Sequence, residues 1–357
     1  MKIHSAVQDV TDERNEADVK RRFRMIVVLR PDTSREQRDQ LIGWLKAQNV
    51  DVHISEGKVY TVLGLVGNTG NIDEELVESL SIVDSVKHVS EPFKKSNRKF
   101  HPENTVVRVG NAVFGDGACT LIAGPCAPGD PDEMTALAKK LKKAGAAVFK
   151  ADMFAHTMSP YDSGNRSGSC VEVLSEVKKA TGLAIAAEVM DAAQIERADC
   201  ADILMVGRRN MGNLELLREL GRSDRPVILR RDRSAELKEL LMSAEYIMAG
   251  GNENVILCES GIRTFESYTR NTMDMSALPL LHELSHLPVI AEPCRATGLS
   301  RLTHSMSMAA AACGADGIML DVCEDPMKAP YDGGQMITTE QFEKTALGIA
   351  SIREVMR

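Results

Sequence analysis

The chain has 357 residues, room for one barrel-sized domain and a smaller one beside it. Apolar residues make up 43% and charged residues 26%, an ordinary globular balance, and no apolar run approaches the roughly 20 residues of a membrane span. The net charge of -8 speaks against a general nucleic-acid binder, and eight scattered cysteines read as small buried residues rather than a disulfide framework.

Residues 1–21 are polar and charged, without the apolar core of a secretory signal, so a poorly ordered tail and a cytoplasmic location are expected. Residues 22–92 then alternate as strand (Met25 to Leu29), helix (Ser34 to Gln48), two strands (Val50 to Ser55, Val59 to Val66), helix (Asp73 to Leu80) and strand (Val83 to Val89). That βαββαβ order is a ferredoxin-like sandwich. Residues 93–117 supply a basic linker, continuing from Pro92 to His101, and a hairpin, Val106 to Val113, expected to plug a barrel floor.

From residue 118 to 357 eight short apolar runs recur: Cys119 to Ala123, Ala147 to Lys150, Leu183 to Glu188, Asp202 to Val206, Pro226 to Arg230, Val255 to Cys258, Pro288 to Glu292 and Gly317 to Asp321. Helix signals fill the gaps. Asp130-Pro131-Asp132-Glu133 supplies a cap and an N1 proline, Gly145 a stop, and Ser234-Ala235-Glu236-Leu237 opens a helix to Ala249. Strands alternating with helices, and carrying polar residues at their ends, predict an α/β protein with a (β/α)8 TIM barrel. An open doubly wound sheet is the alternative. It is disfavoured because the first run lacks a Gly-rich dinucleotide turn, which also argues against a nucleotide cofactor.

Gly124-Pro125-Cys126 follows the first run, Ser159-Pro160-Tyr161 the second and Gly207-Arg208-Arg209-Asn210 the fourth. With Cys258-Glu259-Ser260-Gly261-Ile262-Arg263-Thr264 and Ser285-His286-Leu287-Pro288, these make a chain that resembles the 3-deoxy-7-phosphoheptulonate (DAHP) synthases from about Met25 onward, in the branch with an N-terminal ferredoxin-like domain. The resemblance implies a metal-dependent condensation of phosphoenolpyruvate with erythrose 4-phosphate, opening aromatic biosynthesis, a regulatory small domain and a homo-oligomer.

The departures from that pattern are specific. Where the family carries Lys-Pro-Arg-Thr-Ser-Pro-Tyr, this chain has Ala155-His156-Thr157-Met158-Ser159-Pro160-Tyr161, without either substrate-gripping cation. The preceding family arginine is Lys150, and the arginine of the family's Glu-Arg-Gly is Ser260. Of the implied metal ligands, Cys126 and Asp332 match, Asp321 is a shortened carboxylate, and the histidine is Arg295. Each charged donor lost from a desolvated anion site costs on the order of 2–5 kcal/mol, and a guanidinium has no lone pair to give a metal.

Cations nevertheless gather at strand ends. Arg208, Arg209, Arg230, Arg231 and Lys150 are candidates for binding a phosphorylated or carboxylated small molecule, with Ser159 and Glu259 beside them; Arg209 and Arg230 stand at family phosphate-binding positions. The opposing reading pairs some of them with Asp232, Glu188, Glu259 or Glu292. Lys150, His156 and Arg295 are the catalytic candidates; a desolvated Lys150 with a lowered pKa could form a Schiff base, and His156 or His304 could act as base or ligand. Cys126, Asp321 and Asp332, with Cys294 or Cys323, could re-form a manganese, iron or zinc site, although Arg295 as a built-in cation favours weak or absent metal. Three functions stay open. The first is a diverged enzyme performing aldol-type carbon–carbon bond formation or lyase chemistry on an anionic small molecule in shikimate-linked or specialised metabolism. The others are a catalytically silent homologue regulating or scaffolding a true synthase, and an ordinary DAHP synthase.

Overall fold

The computed structural model describes residues 23–57, 60–67, 69, 72–88, 93–152 and 167–356. The tail at 1–21, and His156 and Ser159, lie outside them. The chain divides into two compact units. One runs to Glu103 and takes in Leu284–His286; the other holds Asn104–Glu283 and Leu287 onward. The segment expected as one linker region at 93–117 is therefore shared between the units, its hairpin going with the barrel.

In the first unit, β1 (Phe23–Leu29), α1 (Arg35–Ala47), β2 (Val50–Glu56), β3 (Thr61–Gly67), α2 (Glu74–Glu78) and β4 (Val83–His88) form the ferredoxin-like sheet, in the order β2-β3-β1-β4 and antiparallel throughout. Period-two alternation in β1 explains its two buried faces. Met25, Val27 and Leu29 meet Leu41, Ile42 and Leu45 of α1, while Ile26 and Val28 pack with Val62 and Phe100 on the other side. A capping box between Ser34 and Gln37 starts α1.

In the second unit a short hairpin, β5 (Val107–Val109) with β6 (Ala112–Phe114), precedes eight parallel strands. They are β7 (Thr120–Gly124), β8 (Val148–Ala151), β9 (Ala184–Val189), β10 (Ile203–Val206), β11 (Val227–Arg230), β12 (Val255–Glu259), β13 (Val289–Ala291) and β14 (Gly317–Asp321), closed by β14 pairing with β7. Each expected run is a strand, to within a residue or two at its ends. Helices α3 (Pro131–Lys143), α4 (Ser167–Thr181), α5 (Ala192–Arg197), α6 (Leu214–Gly221), α7 (Leu237–Ala249), α8 (Ala277–Leu284), α9 (Pro293–Thr297), α10 (Ser300–Ala312) and α11 (Thr339–Val355) alternate with them. One boundary differs: α7 starts at Leu237, because Glu236 takes the N-cap and shares a capping box with Glu239.

The barrel interior is apolar below its mouth. Ile122, Val148, Ala186, Met205, Ile228, Ile256, Ile290 and Met319 pack with Val107, Val109, Ala112 and Phe114 of the hairpin.

Candidate active site

Side chains alternate across a strand, so the position two residues beyond an inward apolar side chain points inward again, one layer higher. Counting up from Ile122, Val148, Ala186, Met205, Ile228, Cys258, Ile290 and Met319 gives Gly124, Lys150, Glu188, Gly207, Arg230, Ser260, Glu292 and Asp321. Small and charged residues thus replace aliphatic ones in a single step at the C-terminal mouth, where barrel sites form. Asp152 and Arg295 add to this layer from just beyond β8 and β13.

Two glycines make the layer possible. A Cβ on Gly124 would lie 2.1 Å from the backbone oxygen of Lys150, and one on Gly207 would lie 2.2 Å from Oε1 of Glu188. With no side chain at Gly124 between them, Lys150 from β8 and Asp321 from β14 form a fully buried ion pair across β7. Gln335 Nε2 also donates to Asp321 and lies 3.8 Å from the Cys126 sulfur. Arg295 ion-pairs with Asp152 at 2.9 Å and with Glu292 at 3.2 Å. Arg230 donates to Glu188, lies 3.2 Å from Glu292, and rests 3.8 Å above the sulfurs of Met205 and Met319. Four carboxylates (Asp152, Glu188, Glu292, Asp321) therefore face three cations (Lys150, Arg230, Arg295).

Titration follows from these neighbours. Burial works against the charged form of Asp321, but Lys150 and Arg295 beside it hold its carboxyl well below the usual range. Asp152 is lowered in the same way, against its own burial, by Arg295, Lys150 and Arg230. Glu188 goes the other way: burial and the nearby Asp152 raise it despite Arg230. For Lys150, burial alone would lower the pKa, but Asp321 reverses the sign and raises it. That direction is opposite to the one a Schiff-base role needs, and the side chain's contact is with a buried carboxylate, Asp321.

The remaining candidates separate. Arg230 is committed to carboxylates, the opposing reading of that residue, and so is not free to take a phosphate unaided. Arg231 pairs with Glu259 at 2.9 Å and with Asp274 at 3.0 Å, which braces the β11 and β12 ends. Arg208 follows β10, half-buried, and donates to the Ser260 carbonyl at 3.3 Å; Arg209 beside it is exposed. His304 meets Thr345 on α11, at 3.2 Å. Sequence reasoning missed Asp152, Gln335 and Tyr331, whose hydroxyl donates to the Cys126 carbonyl at 3.1 Å. Glu188 and Glu292 were foreseen only as ion-pair partners.

The profile of the DAHP synthetase I family matches residues 97–356, and that of the DAHP synthase ferredoxin-like domain matches residues 25–91. The chain belongs to this family. The phospho-2-dehydro-3-deoxyheptonate aldolase of Thermotoga maritima is 37% identical over 321 residues, 90% of this chain and 95% of that one. Its crystal structure superimposes with a TM-score of 0.73 at 35% identity, covering 94% of this chain and 98% of that one. A 2-dehydro-3-deoxyphosphooctonate aldolase from Syntrophotalea carbinolica is 26% identical over 70% of this chain and 97% of its own length.

Within the DAHP synthase family this barrel's donor set does not fit a divalent metal. Arg295, where the resemblance implies a histidine, is a guanidinium paired with Asp152, and Asp321 is taken by Lys150 and Gln335. Asp332, in the left-handed region at φ 57°, pairs with Arg270 at 3.1 Å instead of joining Cys126 and Asp321. Among the described residues no three His, Cys, Asp or Glu side chains converge as a ligand set. Burial raises Cys126 well above its ordinary value, pushes Cys294 up to about 12 and, with nearby carboxylates, Cys323 up to about 11. Also among the described residues, no helix is long and apolar enough to cross a membrane.

Proposed function

We propose that this barrel is an enzyme of the family's aldol-type class that acts on a phosphorylated or carboxylated small molecule without a bound metal. Fixed internal cations then supply the positive charge of the site. One observation carries the reading: Arg295 and Lys150 occupy the carboxylates that a metal would otherwise need. In an aldol or lyase step negative charge develops on a carbonyl oxygen as the carbon–carbon bond forms or breaks. Cations already oriented by buried carboxylates stabilise that charge without reorganising. Glu188, raised above its ordinary value by burial and Asp152, is the group in the layer best suited to hold a proton.

The full-length match to the Thermotoga aldolase supports a second reading, ordinary condensation of phosphoenolpyruvate with erythrose 4-phosphate. Consumption of phosphoenolpyruvate by the purified chain with erythrose 4-phosphate decides between them, after chelation and after addition of manganese. The metal-free reading expects no turnover in either sample and less than stoichiometric metal by elemental analysis. Manganese-dependent turnover would establish the ordinary reaction and overturn ours.

A further inference from the structure

Residues 93–103, which follow β4 in the chain, are held against Leu284–His286, the stretch at the end of α8 that groups with the first unit. Asn97 and Ser285 form an antiparallel bridge. The Arg98 amide donates to the Leu284 carbonyl at 2.9 Å, and Arg98 Nε donates to the Ser285 carbonyl at 3.0 Å. Two histidines complete the contact. The rings of His101 and His286 are stacked with a tilt of 32° and centroids 4.2 Å apart. His286 Nε2 donates to the Lys95 carbonyl at 2.7 Å, and His101 Nδ1 to the Glu103 carbonyl at 2.7 Å. A carbonyl can only accept, so these bonds fix the tautomer of each neutral ring.

A second proton on His286 would face positive charge in a closed place. The ring is 3% exposed. The charges that bear on it are His101 and Arg98, both cationic when protonated, and Arg98 Nη1 also donates to the Pro102 carbonyl, next to His101, at 2.9 Å. Glu283, three residues before His286, is exposed. Burial pushes the His286 imidazole down from its ordinary 6.5 to about 4, with His101 and Arg98 adding to the shift and the Lys95 carbonyl opposing it. A ring released to water takes its proton near its ordinary value, so acid favours the released form.

We propose that the His101–His286 stack is an acid-released clasp, which holds residues 95–103 on Leu284–His286 at neutral pH and lets them go as the rings are protonated. Release bares the basic run Lys94-Lys95-Ser96-Asn97-Arg98-Lys99, of which Lys94, Ser96 and Asn97 are buried while the clasp is shut. The clasp is independent of the chemistry proposed for the barrel mouth. Linkage sets its size. With the ring at about 4 when clasped and 6.5 when free, the opening equilibrium rises about fourfold from pH 8 to pH 6 and about thirtyfold from pH 8 to pH 5.

Amide hydrogen exchange of the full chain tests this, read by mass spectrometry and corrected for the intrinsic rate at each pH. The amides of Arg98, Phe100 and His101, which donate to the Leu284 and Asn97 carbonyls, should lose protection by those factors, while those of β14 keep theirs. His286→Gln keeps a donor for the Lys95 carbonyl without the titration and should flatten the dependence. His101→Phe keeps a stacked ring without its charge and should shrink it; an undiminished fall would take His101 out of the clasp. A wild-type fall of less than about twofold by pH 5, an equal fall in β14, or a His286→Gln profile parallel to wild type would overturn the proposal. If His286→Gln fails to fold, exchange of the imidazole C2 hydrogen in the wild type gives the His286 midpoint directly. A midpoint well below 6.5 is expected, and one at or above 6.5 would overturn the clasp.

Discussion

Replacing Lys150 by methionine tests whether the mouth is held by buried charge. Both partners of the Lys150–Asp321 pair are 0% exposed. In Lys150→Met, Asp321 keeps only the Gln335 amide as a side-chain donor, in a layer that already holds Asp152, Glu188 and Glu292. Breaking such a pair from one side costs about 3–5 kcal/mol, a large part of the 5–15 kcal/mol that separates folded from unfolded domains. For a domain of this size that is a fall in the barrel's midpoint of about 6–20 °C. Far-UV circular dichroism is the assay, because the single tryptophan, Trp44, lies in α1 of the first unit and does not report on the barrel. The double variant Lys150→Met/Asp321→Asn keeps an acceptor for Gln335 and should recover most of the loss. The pH dependence has a definite sign. Asp321 is depressed, so its contribution is present above about pH 4 and lost as pH falls through the folded value. Lys150 is raised, so its contribution is present below about pH 10 and lost as pH rises through the folded value. The pair's contribution is therefore flat across neutral pH. A loss under about 1 kcal/mol in the single variant, or simple additivity in the double, would refute a desolvated pair.

Two further perturbations examine the same layer. Gly124→Ala should cost about 3 kcal/mol or more, because its Cβ meets the backbone of Lys150. Gly207→Ala should cost less, since the flexible end of Glu188 can swing away, though it then leaves Arg230; denaturation midpoints in the reverse order would contradict the packing. Glu188 is raised when folded, so wild-type stability should fall as pH rises from about 4.3 through the folded value. Glu188→Gln should flatten that slope above about pH 4.3, and parallel melting profiles for the two proteins would remove Glu188 as the proton-holding group.

Much of this site is written in the strand pattern. The step from Ile122, Val148, Ile228 and Met319 to Gly124, Lys150, Arg230 and Asp321 is a period-two count that needs no coordinates. It also reaches Glu188, Glu292 and the bare positions Gly124 and Gly207. Asp152 escaped because the apolar run ends at Lys150, and the count was not carried one further step of two along the chain. Gln335 escaped because it arrives from a loop far along the chain, with nothing local to aim it at Asp321. The pairing itself was the least legible. Whether Arg230 meets a ligand or Glu188 depends on how far side chains from neighbouring strands reach across the mouth, a distance no spacing encodes. In the same way Arg231, next in sequence, turns to Glu259 and Asp274 because alternation sends it to the opposite face.

The charges in this layer do not earn their place through stability. A buried ion pair is usually matched or exceeded by apolar side chains of similar volume, since each ion forfeits several kcal/mol of hydration that its partner only repays. A barrel mouth that had merely lost its function would tolerate the aliphatic residues found one layer below, at Val148, Ile228 and Met319. Instead Lys150 and Arg295 bring two positive charges to buried carboxylates, and Arg208 donates to the Ser260 carbonyl. Such an arrangement favours a site that still has to hold an anion: the paired cations set the local potential, and Arg208 faces no carboxylate among the described residues.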